Sequence, residues 1–381
     1  MNFCSNIKNK IIQSFAVSFI VFMLACTVSG ADRDVIRIGF VGGLTGKNSE
    51  LGIQGRNGAM LAVEEINQTG GINGRKLRLI TKDDKQDVQT AVKVDRELIE
   101  DKVVAIIGHM TSAMADASLP LINENKIVMI SPTASADKLT GIDDYFLRVI
   151  SPSIERINLT ADYAFRGIKL RRMTVVYDLS NRSYSESYAM SYKSEFERVG
   201  GKIIELVDFR TSPDLSYKEL ARRSLAKKPD GILIVASATD TAMLCQHIRM
   251  NNAKLPVLVS GWAQTQDLLK YGGPAVEGVY ATQYVNYDSD AKTFLEFRER
   301  YALRFGREEP SFAAVMGYEA VMVLKNALSR NPDPKRLKET IIKQRIFKGL
   351  QEDFEIDAYG DAKRKSYVVN IRKNRFTVVN K

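Results

Sequence analysis

The chain contains an internal repeat, and this repeat constrains the fold more than any other feature of the sequence. Three short blocks recur in the same order further along the chain. The blocks and their counterparts are Gly70-Gly71 with Gly200-Gly201, Ala105–Met114 with Leu233–Met243, and Val128–Ser131 with Val257–Ser260. The offset is 130 counted from Gly70 to Gly200 and 129 counted from Met114 to Met243. Three ordered matches at a nearly constant offset predict two lobes of similar fold.

Short apolar runs alternate with amphipathic helices along both repeats. Strands are predicted at 37–41, 76–82, 103–107, 127–130, 173–177 and 203–207. Helices are predicted near the C-terminus at 292–305, 312–329 and 334–343. The chain is predicted to end in a hairpin formed by 366–371 and 375–379. Strands that alternate with helices form mostly parallel sheets. We therefore predict an α/β fold of two similar lobes, each a mostly parallel sheet flanked by helices, joined by a hinge. No low-complexity linker separates the lobes, and helices rather than strands are expected after about residue 284.

The repeat also divides the chain into segments. We expect lobe 1 to comprise residues 32–149 and 285–362, and lobe 2 to comprise residues 150–284 and 363–381. Short connections between the lobes fit a hinged pair better than two tethered domains.

Composition excludes several classes of protein. The chain of 381 residues has two histidines and three cysteines, and no C-x-x-C pair. A histidine-rich metal site, a zinc ribbon and a disulfide framework are therefore excluded. The net charge of +10 comes from 55 basic residues dispersed among 45 acidic ones. No nucleic-acid-binding motif accompanies the basic residues, so we expect a charged surface and no nucleic-acid partner.

The first 31 residues have the pattern of a signal peptide. Lys8 and Lys10 precede an uncharged apolar run from residue 11 to 25, and small residues follow. The run is short for a bilayer span, which favours cleavage over a permanent anchor. Two cleavage sites remain open: one after Ala31 gives a soluble protein, and one before Cys26 gives a protein anchored through a lipidated cysteine. Either way the protein is expected outside the cytoplasm.

Small polar residues occupy the loops that follow the predicted strands. These loops are Gly42–Gly46, Gly108–Ser112, Ser131–Ser135, Asp178–Tyr184, Ala236–Thr241 and Ser260–Gln264. In parallel sheets, ligands bind beyond the carboxyl ends of the strands. Free backbone N–H groups at the helix starts suit a carboxylate. The sequence has no motif for a nucleophile, a metal hydrolase or a nucleotide site. We therefore predict a binding protein, not an enzyme, with no metal and no cofactor.

These residues resemble a known family, the leucine/isoleucine/valine-binding branch of the type I periplasmic binding proteins, which serve ABC transporters. The resemblance runs from Ile36 to about Val379 and is carried by the order and spacing of its motifs. They read Ile38-Gly39-Phe40-Val41-Gly42-Gly43-Leu44-Thr45-Gly46, Ala62-Val63-Glu64-Glu65-Ile66-Asn67, Ile107-Gly108-His109 and Met129-Ile130-Ser131-Pro132. The resemblance implies two lobes that close on a small ligand.

The resemblance also implies site residues. The family's carboxylate-binding serine maps to Ser112, and a backbone carbonyl and a hydroxyl map to Thr133 and Ser135. A tyrosine at the mouth of the second lobe maps to Tyr184. The acid that holds the ligand's amine in the leucine-binding branch is replaced by Trp262.

Three explanations stay open for the missing acid that would bind the ligand's amine. Asp240, one loop away, substitutes for the missing acid, or Trp262 meets an ammonium group through its ring face. Alternatively, the ligand has no α-amine and presents an aromatic or aliphatic group to Trp262. A rim-packing role for Trp262 is also compatible with the sequence.

The predicted function is capture of a small carboxylate-bearing ligand, an amino acid or related organic acid, for delivery to an ABC permease in the inner membrane. The alternative is a sensing module that feeds a membrane chemoreceptor or kinase. The same two lobes serve both uses.

Overall fold

The computed structural model describes residues 35–306 and 309–379. The predicted signal peptide and Cys26 lie outside these residues. The described residues form two large sheets flanked by helices and one small sheet. Among them, no helix combines the length and the apolar character needed to span a bilayer.

The first sheet has five parallel strands in the spatial order β2-β1-β3-β4-β5. The strands are β1 (Ile36–Gly42), β2 (Leu77–Asp83), β3 (Ala105–Ile107), β4 (Val128–Ser131) and β5 (Phe146–Arg148), and the connecting helices are α1 (Glu50–Gln68), α2 (Val88–Glu100) and α3 (Ser112–Asn125). Helix α1 packs on one face, and α2 and α3 pack on the other. The strands β3 and β4 are fully buried because both faces are covered.

The second sheet has seven strands in the order β15-β14-β10-β9-β8-β6-β7. These are β6 (Arg172–Asp178), β7 (Lys202–Phe209), β8 (Gly231–Val235), β9 (Val257–Val259), β10 (Tyr280–Gln283), β14 (Tyr367–Arg372) and β15 (Arg375–Val378), with helices α4 (Ser153–Asp162), α5 (Arg182–Arg198), α6 (Tyr217–Leu225), α7 (Ala238–Asn251) and α8 (Gln266–Gly272). The strands β6 to β10 are parallel, and the terminal hairpin adds two antiparallel strands. The prediction of a two-lobed α/β fold with mostly parallel sheets is confirmed.

The remaining segments include one feature that the periodicity missed. The predicted helices are present as α9 (Lys292–Arg304), α10 (Phe312–Arg330) and α11 (Leu337–Gln344). A small antiparallel sheet then follows, made of β11 (Ile346–Phe347), β12 (Phe354–Ile356) and β13 (Ala362–Lys363). Expecting only helices in this region was wrong, because strands of two or three residues are too short to show an alternating pattern.

The chain passes between the two large sheets after β5, after β10 and before β14. A buried ion pair joins the last of these passages to α10: Glu319 on that helix binds Arg364, which precedes β14. The Arg364 backbone N–H also donates to Ser151 Oγ at 2.8 Å, and its side chain donates to the Val149 carbonyl. The first and last passages are thereby held together. The lobe boundaries at residues 149, 284 and 362 stay a prediction.

Helices α1 and α10 approach each other through glycines. A Cβ on Gly58 would lie 1.9 Å from the carbonyl oxygen of Ala314, and one on Gly317 would lie 2.2 Å from that of Gly55. Real Cβ atoms do not come so close to backbone oxygens. The helices can pack at this distance only because these positions have no side chain.

We predict that Gly58→Ala lowers the free energy of unfolding by about 1–3 kcal/mol, since the added methyl group forces the two helices apart. Urea denaturation of the protein measures this change. The control is Gln68→Ala at the exposed end of the same helix, which is expected to change stability by less than about 0.5 kcal/mol. Equal effects of the two substitutions would contradict the close helix packing.

Candidate functional site

A small cavity of about 20 Å³ lies between the two lobes. It is built mainly by loops at the carboxyl ends of the parallel strands and by the first turns of helices. Its lining residues are Leu51, Met110, Thr111, Ser112, Thr133, Ser135, Ile150, Arg156, Asn181, Tyr184, Gly261, Trp262 and Phe312. Five of the six residues proposed from the sequence are among them; the sixth, Asp240, is not. The binding roles of all six stay predictions.

The first turn of α3 forms the polar end of the cavity. Ser112 Oγ accepts hydrogen bonds from the backbone N–H groups of Ser135 and Ala136 at 3.1 and 3.2 Å. A hydroxyl has two acceptor sites and one donor proton, so its own proton remains to be donated. The N-cap Thr111 makes no side-chain cap, and the Ala113 N–H instead donates to Asn181 Oδ1 in lobe 2 at 3.1 Å. This helix start can therefore bind an anion.

The loop after β4 supports this end of the cavity. The Thr133 hydroxyl donates to the carbonyl oxygen of Met110, so its proton is used within lobe 1. Ser135 Oγ lies 3.1 Å from Ser153 Oγ and accepts a 2.9 Å hydrogen bond from Arg156 Nη2. The Thr133 side chain therefore orders the loop, and the Ser135 side chain links the loop to lobe 2.

Arg156 is a cavity residue that the sequence reasoning missed. Its side chain is buried, and one face lies 4.7 Å from the centroid of the Tyr284 ring. Its Nε has no hydrogen-bond partner. A signal was present in the sequence: Arg156 shares the buried stripe of α4 with Ile157 and Thr160, so a cation stands where an apolar residue is expected.

Aromatic and aliphatic side chains form the other end of the cavity. Trp262 is 7% exposed and packs edge-on against Tyr184, with ring centroids 6.2 Å apart. The Tyr184 hydroxyl is buried without a hydrogen-bond partner. Burial raises the pKa of Tyr184, and the positive charge of Arg156 partly opposes this rise. Leu51 and Phe312 complete the apolar wall.

Asp240 lies outside the cavity, where it joins the two lobes. Its carboxylate is fully buried and binds Lys47 of lobe 1 at 2.8 Å. It also accepts hydrogen bonds from Tyr217, from Thr211 at 2.8 Å and from Ser237 at 2.7 Å. Burial alone would raise the pKa of Asp240, but these hydrogen bonds hold it below its usual value. We call the ion pair the Lys47–Asp240 latch. The carboxylate is engaged in this ion pair and in the three hydrogen bonds.

His109 also lies outside the cavity, behind the loop from β3 to α3. Its ring nitrogens are 2.8 Å from Asp84 Oδ2 and 3.0 Å from Asp95 Oδ2. Burial alone would lower the pKa of His109, but the two carboxylates raise it to about 10. Its backbone carbonyl accepts a 2.6 Å hydrogen bond from Ser131 Oγ. The charged ring thus fixes the loop that leads to Ser112, and the His109 carbonyl joins this loop to the one that carries Thr133.

Comparison with known proteins shows the family and the fold. A family model described as periplasmic binding protein matches residues 35–375. A leucine-specific-binding protein of Salmonella typhimurium is 27% identical over 321 residues, which are 83% of this chain and 85% of the relative. A leucine-binding protein of Thermotoga maritima superposes with a TM-score of 0.82 at 25% identity, covering 90% of this chain and 97% of the other. A solute-binding protein of R. palustris, solved in complex with benzoate, has a TM-score of 0.82 at 19% identity, covering 91% and 95%.

We predict that His109 stabilises the protein fully below its unfolded pKa of about 6.5 and loses this contribution as the pH rises through about 10. The sign follows because the folded protein holds the proton more tightly than the unfolded chain. The reference is a triple variant, Asp84→Asn, His109→Gln and Asp95→Asn, in which no member of the cluster titrates. The stability difference from wild type, measured by urea denaturation, is expected to fall between pH 6.5 and 10. A difference that is constant over this range would contradict the prediction.

We predict that Lys47→Met shifts the lobes towards an open arrangement, because it removes the cation of the Lys47–Asp240 latch. The side chain of Lys47 is 42% exposed, so solvent screening limits the effect to about 1 kcal/mol. Small-angle scattering of the protein is expected to show a larger radius of gyration. Lys292→Met is the control, since the ion pair of this exposed lysine lies within α9. A radius equal to that of the control would contradict the latch.

Proposed function

Because the chain belongs to the periplasmic binding protein family, we propose that it is an extracytoplasmic solute-binding protein that captures a small carboxylate-bearing ligand and delivers it to an ABC permease. Members of the family bind solutes, and we propose no reaction for this chain. The ligand is an amino acid or a related organic acid.

The start of α3 carries this proposal. Ser112 has a hydroxyl proton that no described residue accepts, and it stands at a helix N-terminus that has no side-chain cap of its own. Helix dipole and hydroxyl both favour a negative group at this point. The ligand's carboxylate binds here.

The ligands of related proteins are compatible with this assignment. The Salmonella and Thermotoga relatives are named for leucine, and the R. palustris protein was solved with benzoate. Leucine and benzoate have different carbon skeletons, and only leucine has an amine, but both have a carboxylate. Shared recognition of a carboxylate by the first lobe explains how one fold accommodates both.

Delivery to a permease and location outside the cytoplasm belong to the same proposal. The signal-peptide pattern of residues 1–31 supports export, with cleavage either after Ala31 or before Cys26. The ligand docks on lobe 1 first, and lobe 2 then closes over it with Asn181, Tyr184 and Trp262. Binding shifts an equilibrium between open and closed arrangements, and the permease recognises the closed one.

We predict that Ser112→Ala weakens carboxylate binding by about 1.5–3 kcal/mol, because it removes a hydrogen bond to a charged group. Trp262 is the only tryptophan of the chain and lines the cavity, so its fluorescence follows binding directly. Isothermal calorimetry gives the affinity independently. Cells that lack the protein are expected to regain uptake of the ligand with wild type but not with Ser112→Ala.

The matched control is Ser224→Ala. This buried serine donates to the Leu220 carbonyl within α6, away from the cavity. Its substitution changes stability without changing affinity. Equal affinity of wild type and Ser112→Ala would disprove the carboxylate assignment, and unaffected uptake in cells that lack the protein would disprove the transport role.

A further inference from the structure

The charges that line the cavity are unbalanced. Among the lining residues, which all belong to the described part of the chain, Arg156 carries a positive charge, and there is no aspartate or glutamate. Arg156 interacts electrostatically with two acidic residues, Asp137 and Glu155, but neither forms an ion pair with it. Asp137 instead accepts a hydrogen bond from the Ile154 N–H at 3.0 Å.

A second buried arginine, Arg148, has its positive charge balanced by a carboxylate of the chain. Arg148 is bound by the carboxylate of Asp361 at 2.6 Å, and it also donates to Thr140 Oγ1 at 2.6 Å and to the Ala136 carbonyl at 3.2 Å. Arg156 donates to Ser135 Oγ and lies against the Tyr284 side chain, but it binds no carboxylate of the described residues, and its Nε has no hydrogen-bond partner. A buried guanidinium without a counter-charge is costly unless a binding partner supplies the charge.

The position of Arg156 indicates where the negative charge of a ligand would lie. Ser135 lies between Arg156 and Ser112: its hydroxyl accepts from Arg156 Nη2, and its backbone N–H donates to Ser112 Oγ. A carboxylate that accepts the Ser112 proton is therefore next to the guanidinium. Gly261 makes room for this arrangement, since a Cβ there would lie 1.8 Å from Arg156 Nη1.

No lining residue offers a carboxylate to an ammonium group. Leu51, Met110, Ile150, Trp262 and Phe312 form the apolar part of the wall. An α-amine placed beside the carboxylate would bring a second cation near Arg156, and it would find no acid. A second carboxylate on the ligand would be buried among these apolar side chains.

We propose that the ligand is a monocarboxylate without an α-amine, whose carboxylate lies between Ser112 and Arg156 and whose apolar body packs against Trp262. This inference rests on the proposed function and makes its ligand class specific. Arg156 determines specificity, because it supplies the one positive charge that a single carboxylate neutralises.

Matched ligand pairs test the inference. The pairs are 4-methylpentanoate with leucine, and 3-phenylpropanoate with phenylalanine; the members of each pair differ in the α-amine alone. The protein is freed of bound ligand by unfolding and refolding, and Trp262 fluorescence and calorimetry give the affinities. We expect the acid without the amine to bind at least about 100-fold more tightly in one or both pairs. Tighter binding of the amino acid would overturn this inference and leave the proposed function standing. If neither member of either pair binds, both are overturned.

Variants of the two buried arginines separate specificity from stability. Arg156→Met is expected to weaken binding of the monocarboxylate at least about 10-fold, while the melting temperature of the ligand-free protein stays equal or rises. Arg148→Met leaves Asp361 buried without its partner, so its melting temperature falls. Unchanged affinity in Arg156→Met, or a loss of melting temperature as large as in Arg148→Met, would overturn the role of Arg156. Gly261→Ala, which displaces the guanidinium, is expected to weaken binding in the same way.

Discussion

Parallel strands in each lobe end at the same edge of their sheet, and the two edges face each other across the cleft. This orientation determines where polar groups can meet. The loop after β3 brings Ser112, the loop after β4 brings Ser135, and the loop after β9 brings Trp262. None of these residues is close to the others in sequence, but the sheets place them around one cavity. Arg364, just before β14, binds Glu319 of α10 and also the segment after β5, so the chain segments that connect the two sheets are tied to one another.

Much of this arrangement could be predicted from the sequence, because it depends on local pattern. Hydrophobic periodicity located the strands and helices, and the rule for parallel sheets then indicated the loops that carry Ser112 and Tyr184. What the sequence could not reveal were contacts between distant segments. Asp240 stands in a suitable loop, yet it is turned towards Lys47 and not towards the cavity. Arg156 is on a helix face, and only the folded lobes show that it has no acid partner. The strands β11 to β13 were missed because pairing of such short segments depends on their neighbours.

Buried charges in this protein fall into two groups. His109 lies between two carboxylates, and Arg148 and Arg364 each bind one carboxylate. These clusters fix the backbone around them, and in each the opposite charge is part of the chain. Arg156 differs, because it is held by the Ser135 hydroxyl and the Tyr284 side chain and forms no ion pair with a carboxylate of the described residues. Because Arg156 has no carboxylate partner among the described residues, it is the buried arginine to which we assign the ligand.

The internal repeat gives the two lobes equivalent helices at the cleft, and the differences between these helices bear on the orientation of a ligand. Two equivalent helices, α3 and α7, begin at the cleft, and each is suited by its dipole to hold an anion. In lobe 2, Ser237 caps α7 through the Asp240 N–H, and the Asp240 carboxylate stands in the first turn. That helix has its anion built into the chain, whereas Thr111 gives α3 no cap. The two lobes therefore differ at these helix starts. In the complex that we propose, the acidic end of the ligand lies towards lobe 1.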